Sequence, residues 1–436
     1  MRKLNILVWL IVCSCVSVSC ITKRPVNDCF IEVENGHFIR HGKPYYYIGT
    51  NFWYGAILAS EGEGGDRIRL CRELDSLKAI GIDNLRILVG SDGRRGVPAK
   101  VEPTLQIAPG VYNDTIFAGL DFLLAEMSKR DMLAVLYLNN SWEWSGGYGQ
   151  YLEWAGYGRA PIPAVDGYAA YMGFVSQFVR SDSAKTLYAH YVKDVITRTN
   201  QYTKVRYIDD PTIMSWQIGN EPRAFSKSNK QDFAKWISET AALIKSLDPN
   251  HLVSTGSEGK QGCEMDLDLF EQIHADINVD YMNIHIWPYN WGWAPKDRLQ
   301  ENLEKAKQNS KAYIDEHLEI TKKYRKPLVL EEFGYPRDNF RFDKSSSTVA
   351  RNAYYEYIFS QVVEQAKTLS SFAGCNFWGW GGLASLSEKN EYWQPGDDYT
   401  GDPAQEQQGL NSVFDSDSST LNIIKEATLT LYSLYH

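Results

Sequence analysis

The sequence holds little of what metal-binding and nucleic-acid-binding proteins are built from. Its 436 residues include eight histidines and seven cysteines, and no Cys-x-x-Cys pair occurs. A structural zinc site, which gathers four such ligands at short spacing, is therefore not expected. Cations are in deficit: 45 Lys and Arg stand against 54 Asp and Glu, a net charge of −9. That balance argues against nucleic acid as a partner, because phosphate backbones are held by basic stripes. No internal repeat and no low-complexity segment interrupts the chain. No Gly-x-Gly-x-x-Gly follows the first strand-like segment, which removes the main support for a dinucleotide-binding open sheet. No cofactor and no metal is called for.

Long apolar runs are scarce too. The one from Leu4 to Val18 follows Arg2 and Lys3, the pattern of a signal peptide, too short and wrongly flanked for a stable membrane span. It ends at Ser17-Val18-Ser19-Cys20, similar to a bacterial lipobox with Cys20 as the acylated residue, although Leu is usual where Ser17 stands. Cys15 is a weaker site, and ordinary signal-peptidase cleavage is the alternative. Residues 1–20 are thus expected to be a lipoprotein-type signal peptide, 21–29 a tether, and 30–436 one catalytic domain. The protein is expected to be exported and a monomer, touching a membrane only through a lipid on Cys20 and otherwise secreted. Export permits disulfides among Cys29, Cys71, Cys263 and Cys375, whose pairing spacing does not reveal.

What the chain has in quantity is aromatic side chains, 13% of all residues, with 27 Tyr and 13 Trp. These serve as core or as platforms for sugar rings. Eight apolar strand-like segments recur: Tyr46–Thr50, Asn84–Val89, Leu133–Leu138, Ile213–Ile218, Leu252–Thr255, Tyr281–Ile286, Leu328–Leu330 and Phe372–Phe377. Nearly all are followed by a helical pattern, at 66–80, 116–129, 188–199, 231–247, 267–277, 299–324, 348–370 and 421–434. Eight alternations predict an α/β fold, a closed parallel (β/α)8 TIM barrel. A hairpin over 30–47, with turns at Asn35-Gly36 and His41-Gly42, is expected to lie across its bottom. Long loops after the third strand (139–167) and the eighth (379–420) should wall the top face, where such barrels carry their chemistry. Asp397, Asp398 and Asp402 in the second loop match no calcium-loop pattern and read as a solvated turn.

Two of these strands end in carboxylates. The fourth runs into Gly219-Asn220-Glu221-Pro222-Arg223, where Pro222 ends the ladder and leaves Glu221 at the tip. The seventh ends in Glu331-Glu332-Phe333-Gly334. Carboxylates reaching in from these two strands can sit about 5–5.5 Å apart, the spacing of a retaining glycosidase, in which one protonates the leaving oxygen and the other attacks the anomeric carbon. Glu331, of opposite strand parity to Glu332, is expected to face the sheet–helix layer or to pair with a cation.

Trp216–Arg223 and Leu330–Gly334 resemble the acid/base and nucleophile motifs of glycoside hydrolase family five. Asn376-Phe-Trp-Gly-Trp-Gly-Gly382, the segment Gly401–Gly409 with Ser412–Asp417, and Arg223 directly after Glu-Pro resemble its endo-β-1,4-mannanase branch. The resemblance runs from about Phe30 to the C-terminus. It implies retaining, endo-acting hydrolysis of β-1,4 bonds in mannan, glucomannan or galactomannan, with Glu221 as acid/base and Glu332 as nucleophile. It further implies that Asn220 bonds the sugar 2-hydroxyl, that Arg86 stands beside the nucleophile, that Arg223 holds the leaving-group side, and that Trp378 lies under the sugar being cleaved, ahead of Trp380. His285 stands where the family has the first residue of a His-x-Tyr pair, and Trp287 replaces the Tyr; its indole N–H can donate to Glu332 but cannot accept. Trp53 and Trp142 are weaker sugar-stacking candidates, with loop packing the alternative. Another family-five activity (cellulase or exo-β-mannosidase), or a non-catalytic surface glycan-binding lipoprotein on the same barrel, are the competing readings. The second would be expected to have lost one of the two carboxylates.

Overall fold

The computed structural model describes residues 29–435; the signal-peptide, lipobox and most of the tether expectations fall outside them. Eight parallel strands form one sheet: β1 (Tyr47–Asn51), β2 (Asn84–Leu88), β3 (Leu133–Tyr137), β4 (Ile213–Gln217), β5 (Leu252–Ser254), β6 (Met282–Ile286), β7 (Leu328–Phe333) and β8 (Phe372–Phe377). Their order is β5-β4-β3-β2-β1-β8-β7-β6, so each strand lies beside its sequence neighbour and β5 meets β6 at the seam. There the Asp280 N–H donates to the Val253 carbonyl at 2.8 Å. The Thr255 and Gly256 N–H groups donate to Asn283 Oδ1 at 3.1 and 2.9 Å. A side chain thus completes the seam, and the sheet closes as the (β/α)8 barrel that the alternation predicts.

Each strand leads to a helix on the outside: α1 (Arg67–Ala79), α2 (Asp114–Lys129), α3 (Asp182–Ile196), α4 (Lys230–Leu247), α5 (Leu267–Ala275), α6 (Leu303–Tyr324), α7 (Val349–Lys367) and α8 (Ser418–Tyr435). Several start where a short polar side chain takes an orphan N–H, as Asp66 does for Arg69, Asn113 for Thr115 and Ser181 for Ala184. The Ser181 cap places the start of α3 six residues before the expected Tyr188; apolar periodicity alone does not mark a polar first turn. The strands are buried on both faces, as parallel sheets covered by helices require.

The N-terminal segment forms three antiparallel strands, Glu32–Glu34, His37–Arg40 and Lys43–Pro44. Its Phe38 packs with Tyr47, Val135, Met214, Tyr281 and Val329 in a small core of its own, plugging the barrel bottom. Chemistry is therefore confined to the other end. The 139–167 loop is not structureless: Gly147–Trp154 is helical, and a further helix covers Tyr168–Val175. Cys29, Cys71, Cys263 and Cys375 are all unpaired, so no disulfide supports the described fold. Among the described residues no helix is long and apolar enough to cross a membrane.

Candidate active site

Glu221 sits at the tip of β4 with φ +49°, a left-handed conformation that a non-glycine residue seldom adopts and that is characteristic of functional positions. The chain holds it there from both sides. Glu221 N–H donates to the Gly256 carbonyl at 3.0 Å and Asn220 N–H to the Asn139 carbonyl at 2.7 Å, while Ser141 Oγ–H donates to the Glu221 carbonyl at 2.5 Å. Gly256 is required for this approach: it has φ +77°, and a Cβ there would meet the Gly219 carbonyl oxygen at 1.9 Å.

Glu332 comes from β7 by way of an irregularity. In the β6–β7 ladder Ile284 faces Leu330 and His285 faces Glu332, skipping Glu331. The extra residue turns both glutamates inward, which strict alternation cannot do. Glu331 accordingly does not face the sheet–helix layer. It accepts from Gln217 Nε2 at 2.5 Å and from the Tyr281 hydroxyl at 3.2 Å, and lies 3.8 Å from Arg86 Nε. The cation-paired alternative is the one realised.

Arg86, fully buried in β2, organises the floor. One Nη–H donates to Glu332 Oε1 at 2.5 Å and to Asn51 Oδ1 at 3.1 Å. The other Nη donates to Asn220 Oδ1 at 2.9 Å, and Nε donates to Gln217 Oε1 at 2.8 Å. Its guanidinium also lies 4.5 Å over the Tyr137 ring. Each polar edge of the buried cation is satisfied, as its desolvation demands. This fixes Glu332 and Asn220 in one frame.

His285 Nδ1 lies 2.8 Å from Glu221 Oε1 and 3.2 Å from Glu332 Oε2. One ligand-type atom from each of the three residues falls within 4.8 Å of the others, close to the retaining separation and well short of the roughly 6.5–9.5 Å of inverting enzymes. Burial disfavours charge on His285, but the two carboxylates, Glu332 first, outweigh it and raise its pKa to about 9. Burial likewise pushes Glu221 up, yet His285, Arg223 and the Trp142 N–H hold its carboxyl below the usual range. His285 is thus pushed toward its protonated form, one hydrogen bond from the group expected to deliver a proton.

A cavity of about 330 Å³ opens over the pair and is lined by Trp142, Asn220, Arg223, Trp287 and Trp378 among others. The two weaker tryptophans part company here. Trp142 lines the cavity, its Nε1–H donates to Glu221 Oε2 at 2.6 Å and Arg223 lies 5.0 Å over its ring, so it holds the carboxylate from within the cavity. Trp53 does not reach the cavity: it is 3% exposed, and its Nε1–H donates to the Gly401 carbonyl at 3.0 Å. That tryptophan fastens the eighth loop to the first, the loop-packing alternative. Trp287 packs edge-on against Trp378, ring centroids 6.0 Å apart, and no hydrogen bond joins it to Glu332 among the described residues. Trp378 lines the cavity and its buried Nε1–H has no partner among the described residues; Trp380 lies elsewhere in the core.

Sequence reasoning missed several residues here. Glu258, after β5, is ion-paired with Arg223; burial raises its pKa to about 7. Glu143, Gln405 and Glu406 line the cavity with carboxyl or amide oxygens that are buried and unpartnered, ready for the hydroxyls of a sugar. Burial puts Glu143 at about 6, while burial and the charges of Asp402, Glu332 and Glu221 hold Glu406 well above the carboxylate range. Gln405 and Glu406 lie within the Gly401–Gly409 segment that resembles the mannanase branch, but nothing in that resemblance singled them out; no motif marks Glu143.

The 401–412 segment that carries Gln405 and Glu406 is built on Asp402, 1% exposed. Its carboxylate accepts from the N–H groups of Gly409 and Asn411 at 2.9 and 2.8 Å, and from Ser412 N at 3.3 Å and Oγ at 2.5 Å. The solvated-turn expectation is thus wrong for Asp402, which is the loop's internal hub. Asp397 and Asp398 also accept from loop N–H groups. Asp402→Ala is expected to destabilise the protein by about 3 kcal/mol, the cost of leaving buried donors without an acceptor. The midpoint of denaturant unfolding measures this, and an unchanged midpoint would count against the hub.

A family model described as GH family 5 beta-mannosidase-like matches residues 28–435. Over 374 residues, 80% of this chain and 82% of its counterpart, the sequence is 31% identical to putative mannan endo-1,4-beta-mannosidase 9 of Oryza sativa subsp. japonica. It is 30% identical over 371 residues to mannan endo-1,4-beta-mannosidase 4 of Solanum lycopersicum, covering 82% and 84% of the two chains. The crystal structure of a glycoside hydrolase family 5 mannosidase from Rhizomucor miehei superposes with a TM-score of 0.85 at 33% identity, covering 93% of this chain and 98% of that one.

Proposed function

Since the chain belongs to the β-mannosidase-like glycoside hydrolases of family 5, we propose that it is an endo-acting mannanase that cleaves β-1,4-mannosidic bonds with retention of configuration. The observation that carries the chemistry is the pair of carboxylates bridged by one histidine, within 4.8 Å. The named relatives carry the substrate class.

The steps follow from the geometry. A Glu332 oxygen, positioned by Arg86, attacks the anomeric carbon and forms a glycosyl ester. The bond to the leaving oxygen breaks with its electron pair on that oxygen, which takes a proton from Glu221. Glu221 in turn is supplied through its 2.8 Å contact with His285 Nδ1. Water then attacks the same carbon, giving its proton back to Glu221, and Glu332 leaves as carboxylate. Two inversions give retention. Asn220, held by Arg86 at 2.9 Å, donates one amide N–H to Asn140 Oδ1 at 3.3 Å and has the other for a sugar hydroxyl, and Trp378 lies beneath the ring. Both carboxylates of the pair are present with their supports, which favours catalysis over a binding-only barrel.

The test is hydrolysis of locust bean gum and mannohexaose, with cellulose as control, followed by proton NMR of the freshly formed reducing ends. A β-anomer appearing first, together with internal cleavage products, is the expected result. A first-formed α-anomer would overturn the retaining pair, and single mannose units released alone would overturn the endo mode.

A further inference from the structure

A second depression, of about 690 Å³, adjoins the catalytic cavity and shares Gln261, Asn290 and Trp291 with it. It runs between the loops after β5 and β6 and the outer face of α6. We propose that this groove is a distal subsite for the leaving-group half of the polysaccharide, with Trp293 as its sugar platform. The inference rests on the mannanase reading and extends it beyond the residues that touch the scissile bond.

Four observations carry it. The first is continuity: the groove starts beyond Arg223 and its partner Glu258, so a chain passing Glu221 on the leaving-group side is led into it. The second is its aromatic lining. Trp291 and Trp293 are half-buried and pack edge-on at 5.0 Å, and Trp291 lies 5.2 Å from the Tyr313 ring of α6. Sugar rings stack their apolar C–H faces on such surfaces, and both tryptophans, packed against the main hydrophobic core, remain partly exposed in the groove. The third is the polar rim: Lys260 is ion-paired with Glu316 at 2.6 Å and sits 5.7 Å over Tyr313, which places charged hydrogen-bonding groups beside the rings. The fourth is backbone strain. Glu264 and Met265 are consecutive non-glycine residues with φ +58° and +59°, and Met265, on the groove's edge, is 62% exposed. Left-handed residues of this kind cost energy and persist where the surrounding structure holds them.

Tyr313 ties the groove to the catalytic cavity. Its hydroxyl donates to the Glu258 carbonyl at 2.7 Å and accepts from Gln261 N–H at 3.0 Å, so the loop that carries Arg223's partner is propped by the groove's own wall.

Trp293→Ala supplies the test, with kinetics on mannohexaose and on an aryl β-mannobioside, whose leaving group is too short to enter the groove. Lost contacts made equally by substrate and transition state raise KM and leave kcat alone. The expected result is a KM for mannohexaose raised about fivefold, the scale of one half-exposed aromatic contact, with kcat and the aryl substrate unchanged and Trp293→Tyr restoring most of the loss. Met265→Ser, on the exposed edge, should give a smaller rise in the same direction and stands in if Trp293→Ala does not fold. An unchanged mannohexaose KM in a wild type that cleaves mannan overturns the groove alone, as does an equal loss on both substrates. A wild type that cleaves no mannan overturns the function and this occupant together.

Discussion

Glu332→Gln is expected to lower mannan hydrolysis by ~10⁴-fold or more, because a nucleophile that forms the covalent intermediate has no substitute in the site. The side chain keeps its shape, and its amide oxygen can still accept from Arg86, which contacts Glu332 at 2.5 Å in the wild type. The buried Arg86 frame and the thermal transition should therefore survive, and mannohexaose should still bind. The assay is initial rate on locust bean gum, with circular dichroism as the fold control. Retention of more than about a tenth of the activity would remove Glu332 from the nucleophile's role. Full loss of binding together with loss of activity would leave only a structural role for the residue.

Glu221→Gln should behave differently, and the difference identifies the acid. General acid assistance is worth roughly 10²–10⁴-fold, and it matters most when the leaving oxygen is a sugar hydroxyl. Hydrolysis of mannan should fall by about 10³-fold, while formation of the glycosyl ester from an aryl β-mannobioside with a good leaving group should fall far less. Equal losses on both substrates would argue against the acid role. The pH profile adds an independent check. His285 is raised to about 9 by Glu332 and Glu221, above its ordinary value near 6.5. Its proton is in place at neutral pH and departs as pH rises through about 9, so kcat/KM on mannan should decline over that interval. The same shift predicts that His285 stabilises the fold fully below about pH 6.5 and that this contribution fades between there and about 9. In Glu221→Gln, which has no proton to deliver, the alkaline limb of activity should vanish; a limb identical to wild type would place its origin elsewhere.

The barrel was legible because its signals are local. Eight apolar runs of strand length alternate with helical stretches, and every strand of the barrel overlaps its predicted segment. The two catalytic candidates were legible for a related reason: Glu221 and Glu332 each stand at the end of an apolar run, one residue before Pro222 and two before Gly334. What failed was whatever depended on how loops fold back. Trp53 looked like a stacking residue because it follows a strand tip, but Gly401, far along the chain, captures its indole. Asp402 looked like part of a solvated acidic run, yet it gathers four donors inside its own loop.

By itself, then, the sequence determined the closed parallel barrel, which end of it bears the chemistry, and which two carboxylates and which strand arginine meet there. The barrel and its working end are consequences of periodicity and of strand order, both written along the chain; the choice of Glu221, Glu332 and Arg86 came from the resemblance of their motifs to those of family five. Only the tertiary structure decided that Glu331 and Glu332 both turn inward, since a skipped residue in the β6–β7 ladder overrides the alternation of side chains. It alone set His285 between two carboxylates that push it toward its charged form, because a pKa is set by burial and by charges brought close in space. And it alone brought Glu143, Gln405 and Glu406 to the cavity, from loops held by the Asp402 hub and by ties such as that from Trp53 to Gly401.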